Sequence, residues 1–399
     1  MAAMEKNKTN LNVPHLRFPE FSGEWENLSL NDIVLEKKKR VSSSTLTTST
    51  YISTENMLQN FAGVSKANGV PSNNVVEYKI GDILISNIRP YLKKIWLANQ
   101  NGGCSSDIIA LSPCENYDGS FVYYLLANDG FVSYVMSGAK GLKMPRGDKQ
   151  QILKYGISIP SLKEQRKIAA LLDLFDQRIE TQKKIIEDLK KLKDAINNSL
   201  HNNINEFQLF SFNVLGNDYS GLIGKSSEDF GSGLPYISYL NVFRNDIVTD
   251  ESFDYVKVSK TEKQNVVSYG DLLFTLSSET PSEVGIGAIY LGKTNPIYLN
   301  SFCFGVHLSN QENIYGPYLA YFVTSQYFRK TILPFAQGST RYNLMKSDFM
   351  KHKFRFPNMA TQKAIYNALH TLSEKIQNEE VCLNKYTEQK QYLLARLFI

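Results

Sequence analysis

Ile159-Pro160-Ser161-Leu162-Lys163-Glu164-Gln165-Arg166-Lys167-Ile168 is where the chain changes period. Ahead of it, apolar residues come in short runs. Beyond it, Ile168, Leu172, Phe175, Ile179, Ile186, Leu189, Leu192, Ile196 and Leu200 step mostly by three and four, the spacing of one helix face. The residue before a proline is disfavoured in a helix, so Pro160 marks a start, with Ser161 as N-cap and Glu164 three residues on. The break recurs 197 residues later at Phe356-Pro357, followed by Ile365, Leu369, Leu372, Ile376, Leu383, Tyr386, Gln389, Leu393 and Leu397. Asn358 and Thr361 are the candidate caps there. Gln182 interrupts the first stripe and Glu379 the second at the same place, while Lys183, Lys184, Lys190, Lys191 and Lys193 are expected mostly on solvated faces. Two matched helices of about 37 residues, each roughly 55 Å long at 1.5 Å per residue, predict a long antiparallel coiled-coil pair spacing two domains.

Outward from these helices the rest of the chain also repeats. Glu24-Trp25 returns as Glu206-Phe207, 182 positions on; Tyr51-Ile52-Ser53 with Asn56 returns as Tyr236-Ile237-Ser238 with Asn241, 185 on. Gly81-Asp82-Ile83-Leu84 matches Gly270-Asp271-Leu272-Leu273 at 189. From Leu111-Ser112 and Leu308-Ser309 the offset is read as 197, through Gly119/Gly316, Phe131/Phe328, Gly141/Gly338, Pro160/Pro357 and Gln165/Gln362. An offset that only grows means loop insertions into one duplicated fold. Each half carries short strand-like runs, Val75–Ile80 or Val266–Tyr269, then Gly-Asp turns into apolar strands Ile83–Ile85 and Leu272–Thr275. The class is mixed α/β (α+β) with pseudo-twofold symmetry: a flexible N-terminal tail over 1–16, a first domain over 17–160, a central helix over 161–203, a second domain over 204–357 and a C-terminal helix over 358–399.

Composition bounds the function. With 399 residues, 42% hydrophobic and 21% charged, the chain is neither disordered nor collagen-like, and it is long enough for two or three domains. Its net charge of +5 permits nucleic-acid binding through local patches without requiring it. Cys104, Cys114, Cys303 and Cys382 stand far apart with no C-x-x-C pair, and Met1–Asn10 is polar, so a reducing, cytoplasmic setting is expected. Phe121–Met136, the most apolar stretch, is broken by Asn128, Asp129 and Gly130, short of the roughly 20 residues that span a bilayer; no membrane partner is expected.

Phosphate contacts position a DNA-binding protein, and side chains at base edges specify sequence. Basic residues interleaved with small polar ones fit that chemistry in four segments: Lys37-Lys38-Lys39-Arg40; Arg89-Pro90-Tyr91-Leu92-Lys93-Lys94; Lys140-Gly141-Leu142-Lys143-Met144-Pro145-Arg146; and Gln337-Gly338-Ser339-Thr340-Arg341-Tyr342-Asn343. The last two occupy equivalent places because Gly141 and Gly338 align. Ser277-Ser278-Glu279-Thr280 stands where the first half has Arg89 and Lys93. The candidate DNA-contacting residues are Lys38, Lys39, Arg40, Arg89, Lys93, Lys143, Arg146, Ser278, Arg341, Tyr342 and Asn343. A charge run taken singly is an ordinary solvated loop; the equivalence of the Arg146 and Arg341 loops lifts them above that.

Catalytic and metal-binding patterns are not found. Asn295-Pro296-Ile297-Tyr298 resembles the Asn-Pro-Pro-aromatic loop of amino-methyltransferases, but Ile297 replaces the second proline and no glycine loop suited to S-adenosylmethionine stands nearby, so a structural loop is the preferred reading. His15, His201, His307, His352 and His370 do not pair with cysteines at zinc-site spacing, and there is no P-loop.

Val13-Pro14-His15-Leu16-Arg17-Phe18-Pro19-Glu20-Phe21 ahead of Gly23-Glu24-Trp25-Glu26, together with the Ile159–Ile168 stretch and the repeated Gly-Asp-[Ile/Leu]-Leu turns, resembles the DNA-specificity subunit of type I restriction-modification systems. The second half departs in Asn358-Met359-Ala360-Thr361-Gln362-Lys363, which lacks a Glu before Gln362. The resemblance implies two target-recognition domains, each reading one part of a split, asymmetric site on double-stranded DNA, with paired helices as a ruler. It implies two methyltransferase subunits and restriction-translocase subunits as partners, and places S-adenosylmethionine, ATP and Mg on them, with no catalysis and no cofactor on this chain. Two rivals remain: an autonomous DNA adenine methyltransferase or other modifying enzyme, and a structural coiled-coil adaptor.

Overall fold

The computed structural model describes residues 12–204, 206–251, 253–259, 261–309 and 312–399. The chain divides into two compact units. One holds the residues up to Lys183 together with Val381–Ile399; the other is Lys184–Glu380.

In the first unit a four-stranded antiparallel sheet runs in the order Val34–Glu36, Ile108–Pro113, Ile83–Ser86, Ile95–Leu97. Side chains alternate across a strand, and both faces here are covered. Ile83 and Ile85 enter the core built with Phe121, Val122, Tyr124, Leu125 and Phe131, whereas Leu84 joins Tyr78, Trp96 and Ala110 on the other side. That explains why Ile83–Ser86 is apolar almost throughout and buried at every position. A second sheet runs Arg40–Val41, Val75–Tyr78, Gly102–Cys104, Tyr51–Ile52, and Glu26–Ser29 pairs with Gly156–Ile159 where the domain enters and leaves.

The second unit repeats this plan with a five-stranded sheet: Gly216–Ser220, Cys303–Leu308, Leu272–Thr275, Gly287–Tyr290, Ile247–Val248. Leu272 and Phe274 enter a core rich in phenylalanine, with Phe212, Phe304, Phe328 and Phe349; Leu273 joins Ala288, Tyr290 and Cys303 on the opposite face. The register of the pairings repeats too. Glu26↔Ile159 becomes Gln208↔Phe356, Tyr51↔Gly103 becomes Tyr236↔Tyr298, and Ile83↔Leu111 becomes Leu272↔Val306. Both Gly-Asp turns have the same build: Gly81 and Gly270 lie at φ 86° and 87°, where side chains are disfavoured. Asp82 accepts the Lys79 N–H at 2.7 Å, as Asp271 accepts that of Ser268 at 2.8 Å.

Two expectations are corrected. Leu111 is equivalent to Val306, not Leu308, so the offset along this strand is 195 and reaches 197 only after the following loop. Val266–Tyr269 is no strand: its backbone makes a single bond toward the sheet, Val267 N–H to Ile297 O at 2.8 Å. In the expected tail, residues 1–11 lie outside the described residues. Asn12 is held by its amide to Trp25 O at 2.6 Å, and Leu16 N–H donates to Arg396 O at 2.9 Å, so the end of that segment is tied down.

The two long helices are Leu162–Asn202 and Met359–Leu397. Within the first unit, Ile168 and Leu172 share the core with Leu397, Asp176 pairs with Lys390, and the Arg178 guanidinium lies 4.7 Å from the Tyr386 ring centre. One set of numbers rises as the other falls, so these segments run antiparallel. In the second unit Ile196 and Leu200 pack on the core containing Ile365 and Leu369, and Lys190 pairs with Glu380 at 2.7 Å. Ile186 and Ile376 are buried; Phe175, Ile179, Leu189, Leu372, Leu383, Tyr386 and Leu393 are half-buried. Leu192 and Gln389 leave the stripe and are exposed. Lys193, expected mostly in solvent, takes the inward position instead, paired with Asp246 at 2.6 Å with its ammonium 6.0 Å from the Tyr321 ring centre. Lys390, 197 residues on, lies likewise over Tyr124 at 5.2 Å. A helix of 3.6 residues per turn drifts off a strict seven-residue pattern, and each domain presents a tyrosine where the drift turns a lysine inward.

Candidate nucleic-acid interface

Each unit builds a small clasp around its Gly-Asp strand. In the second, Ser277–Ser278, Tyr342–Leu344 and Ala336–Gln337 form an antiparallel sheet pairing Ser277↔Asn343, Ser278↔Tyr342 and Gln337↔Asn343. It brings Ser278, Arg341, Tyr342 and Asn343 together, all predicted from sequence. In the first, single bridges Ile88↔Arg146 and Lys140↔Arg146 do the same work. Lys140 and Arg146 exchange two backbone bonds of 2.9 Å, and Arg89 N–H donates to Pro145 O at 2.8 Å. Gly141 and Gly338 turn both loops at φ 99° and 146°.

The clasps correspond residue by residue. Ile88↔Arg146 is equivalent to Ser277↔Asn343, so Arg89 corresponds to Ser278 and Arg146 to Asn343, while Arg341 corresponds to Met144. The loops are equivalent; the two arginines are not. Both are nevertheless held by one scaffold position, just before the strands Ile108–Pro113 and Cys303–Leu308. Asp107 pairs with Arg146 at 2.9 Å, and its equivalent Phe302 lies under the Arg341 guanidinium at 4.8 Å. Asn87 N–H bonds Asp107 O and Leu276 N–H bonds Phe302 O, both at 2.8 Å, which fixes the equivalence. Arg341 also donates to Ser277 Oγ at 3.3 Å. Asp107 and Phe302 were missed in the sequence because an offset of 195 has no identical residues to announce it here.

The other candidates divide. Arg40 is exposed and donates to Asn74 O at 3.1 Å. It lines a cleft of about 220 Å³ sharing Tyr51 and Ser105 with a polar cleft of about 490 Å³ that reaches Asp107, so Arg40 and the Arg146 clasp border adjoining hollows. Lys39 is paired with Glu77 at 2.9 Å, and Lys38 is exposed. Lys93 is paired with Asp129 at 2.7 Å and faces a different cleft, lined by Phe61, Leu394 and Phe398. Arg89 and Lys143 are exposed, with no side-chain hydrogen bond or ion pair among the described residues. Burial first, then the charge of Arg89, pushes the pKa of nearby Lys94 down.

Asn295-Pro296-Ile297-Tyr298 runs into the buried strand Tyr298–Leu299, beside Tyr236–Ile237. Among the described residues no three His, Cys, Asp or Glu side chains gather as metal ligands, and no helix is long and apolar enough to cross a membrane. At both helix starts a buried glutamine ties the domain to the helix. Gln165 donates to Pro160 O at 2.9 Å and accepts from Asp118 N–H at 2.9 Å; Gln362 donates to Pro357 O at 2.8 Å and accepts from Tyr315 N–H at 2.8 Å. Glu164 is buried and held by two of the three Arg17 guanidinium nitrogens at 2.8 Å, an arrangement the second half lacks; there Asn358 caps the helix by accepting from Thr361 N–H at 2.9 Å.

A duplicated α/β domain with a basic clasp at one strand end, carried on helices that return to the other half, defines a two-module recognition chain. The family model of the type I restriction modification DNA specificity domain matches residues 22–191 and 220–386, and the chain belongs to that family. It is 25% identical over 266 residues to the specificity subunit of the type I restriction enzyme MjaVIII of Methanocaldococcus jannaschii, covering 61% of each chain. A 92-residue match to the Escherichia coli EcoDI specificity subunit, at 26% identity, covers 23% of this chain and 20% of that one. The matched stretches thus span about three-fifths and one-fifth of these curated relatives. Among solved structures the fold is similar to the S subunit of a type I restriction-modification system from M. genitalium, with 16% identity, a TM-score of 0.57, and 97% of this chain and 99% of that one covered. A chain from a structure of type I complex assembly and conformational transition gives 16% identity and a TM-score of 0.58, over 94% of this chain and 97% of that one.

Proposed function

We propose that this chain is the sequence-reading subunit of a type I restriction-modification complex: each domain reads one part of a split, asymmetric site in duplex DNA, and the long helices set the distance between the parts. The observation carrying this is the pair of equivalent clasps, each holding an arginine from a different loop position against one equivalent scaffold position, Asp107 or Phe302. Different residues on one frame are what two different half-sites require. As in the named relatives, the chain serves a restriction enzyme as its specificity subunit. It acts in the cytoplasm. Methyl transfer and DNA cleavage fall to two methyltransferase subunits and the restriction-translocase subunits, which hold S-adenosylmethionine, ATP and Mg; this chain holds no cofactor and catalyses nothing.

The test is methyl transfer to duplex DNA by the purified chain, by its methyltransferase partner, and by both together. Activity only in the mixture, with salt-dependent binding that steepens as phosphate contacts release counterions, is expected. Transfer by the chain alone would establish an autonomous enzyme, and a chain that never binds duplex DNA in the mixture would be an adaptor.

A further inference from the structure

The first clasp carries a feature its copy lacks. Leu142, at the tip of the Lys140–Arg146 loop, is 103% exposed, and Met144 is 49% exposed. Ser339 and Arg341 occupy these places in the second unit. Single exposed leucines are common, but this one stands on a stiff mount. Two backbone bonds between Lys140 and Arg146, the bond from Arg89 N–H to Pro145 O, buried Pro145 and the Arg146–Asp107 ion pair fix the loop's base. A Cβ on Gly141 would come within 3.2 Å of Met144 O, so the turn closes tightly. Around the tip, Lys140 is paired with Asp148 and Arg146 with Asp107, leaving Lys143 and Arg89 as the uncompensated cations. Tyr91, 47% exposed, lies on the turn that Arg89 opens.

We propose that Leu142 is a wedge that inserts between two base pairs in the half-site read by the first domain, with Lys143 and Arg89 on the flanking phosphates. This rests on the DNA-recognition reading above and deepens it. An exposed apolar tip on a loop with uncompensated cations fits an apolar base step edged by phosphates; inserted leucines unstack such steps and bend the duplex. Steps that unstack easily, pyrimidine followed by purine, are then favoured at that position without any base-edge contact. The second domain, with Ser339 at the tip, reads its half-site without a wedge.

The complex with its methyltransferase subunits is titrated onto duplexes carrying its own methylation motif, with 2-aminopurine placed in turn at each position. Apart from the target adenines, which a methyltransferase flips out of the stack in either half-site, the expected result is a fluorescence rise at one step of the first half-site and none in the second. Leu142→Ala and Leu142→Ser lose the rise and weaken binding roughly tenfold, while Leu142→Phe keeps it. A complex that binds its motif with no rise away from the target adenines, or a rise there that survives Leu142→Ala, overturns the wedge and leaves the recognition reading standing. Loss of a methyltransferase subunit from Leu142→Ala with the rise intact makes the tip a protein contact and also overturns it. A complex with no preference for its motif brings down the recognition reading and the wedge together.

Discussion

Replacing Arg341 by alanine removes a side chain placed for base reading. One nitrogen donates to Ser277 Oγ at 3.3 Å and the plane lies on Phe302 at 4.8 Å, so one of five N–H donors is engaged and the rest can meet a guanine edge. A bidentate arginine contact contributes about 1–3 kcal/mol of discrimination, roughly 5- to 150-fold in preference for the right base. The fold loses little. An exposed cation–π contact contributes about 0.5–1 kcal/mol, a shift of no more than about 4 °C in a unit of this size. Phe302→Ala, which removes the platform and leaves the arginine, should give a smaller loss at the same base pairs. The assay is competition binding of the assembled complex against duplexes degenerate at one position at a time. Preference should fall at positions of the second half-site only, with the salt dependence unchanged. Equal loss at both half-sites, or a salt slope reduced by about 1 with preferences intact, would make Arg341 a phosphate contact and refute the assignment.

Three further outcomes follow from the same geometry. Gln362→Ala should lower the stability of its unit by about 2 kcal/mol, seen as a thermal midpoint roughly 4–8 °C lower, because buried Pro357 O, together with the less buried Asn313 O and Tyr315 N–H, loses its partner; an unchanged midpoint would show the tie to be dispensable. Burial pushes the pKa of His201 down to about 4 from 6.5, so the unfolded chain takes up that proton first as pH falls. Stability is full above about pH 6.5 and declines by up to about 3 kcal/mol toward pH 4, a dependence that denaturant titrations should find missing in His201→Phe. Deleting Lys183–Leu189 and Glu380–Tyr386 together keeps both apolar stripes in register and shortens the helices by about 10 Å, near three base pairs. The tolerated spacer should shrink accordingly or binding should fail through the changed helical phase, and a folded deletion variant with the original spacer would remove the helices from the role of ruler.

The long helices were legible because their apolar period persists over many turns and recurs at one offset. The Gly-Asp turns were legible because φ near 87° and a side-chain carboxylate on a nearby N–H restrict the residues that fit. Lys193 and Lys390 were not, since a lysine that buries its stem over a tyrosine has the sequence signature of a solvated one. Nor was the shared mount of the clasps. Asp107 and Phe302 hold their arginines through unlike chemistry, a carboxylate and a ring, and only the backbone bonds from Asn87 and Leu276 reveal that the positions match.

Recognition by this chain is tested most directly by mapping methylated bases across a genome in cells that hold its methyltransferase partner, with and without the chain. A split, asymmetric motif that appears only when the chain is present is the predicted result; a motif that persists without it, or one that is contiguous, would contradict a two-module reader.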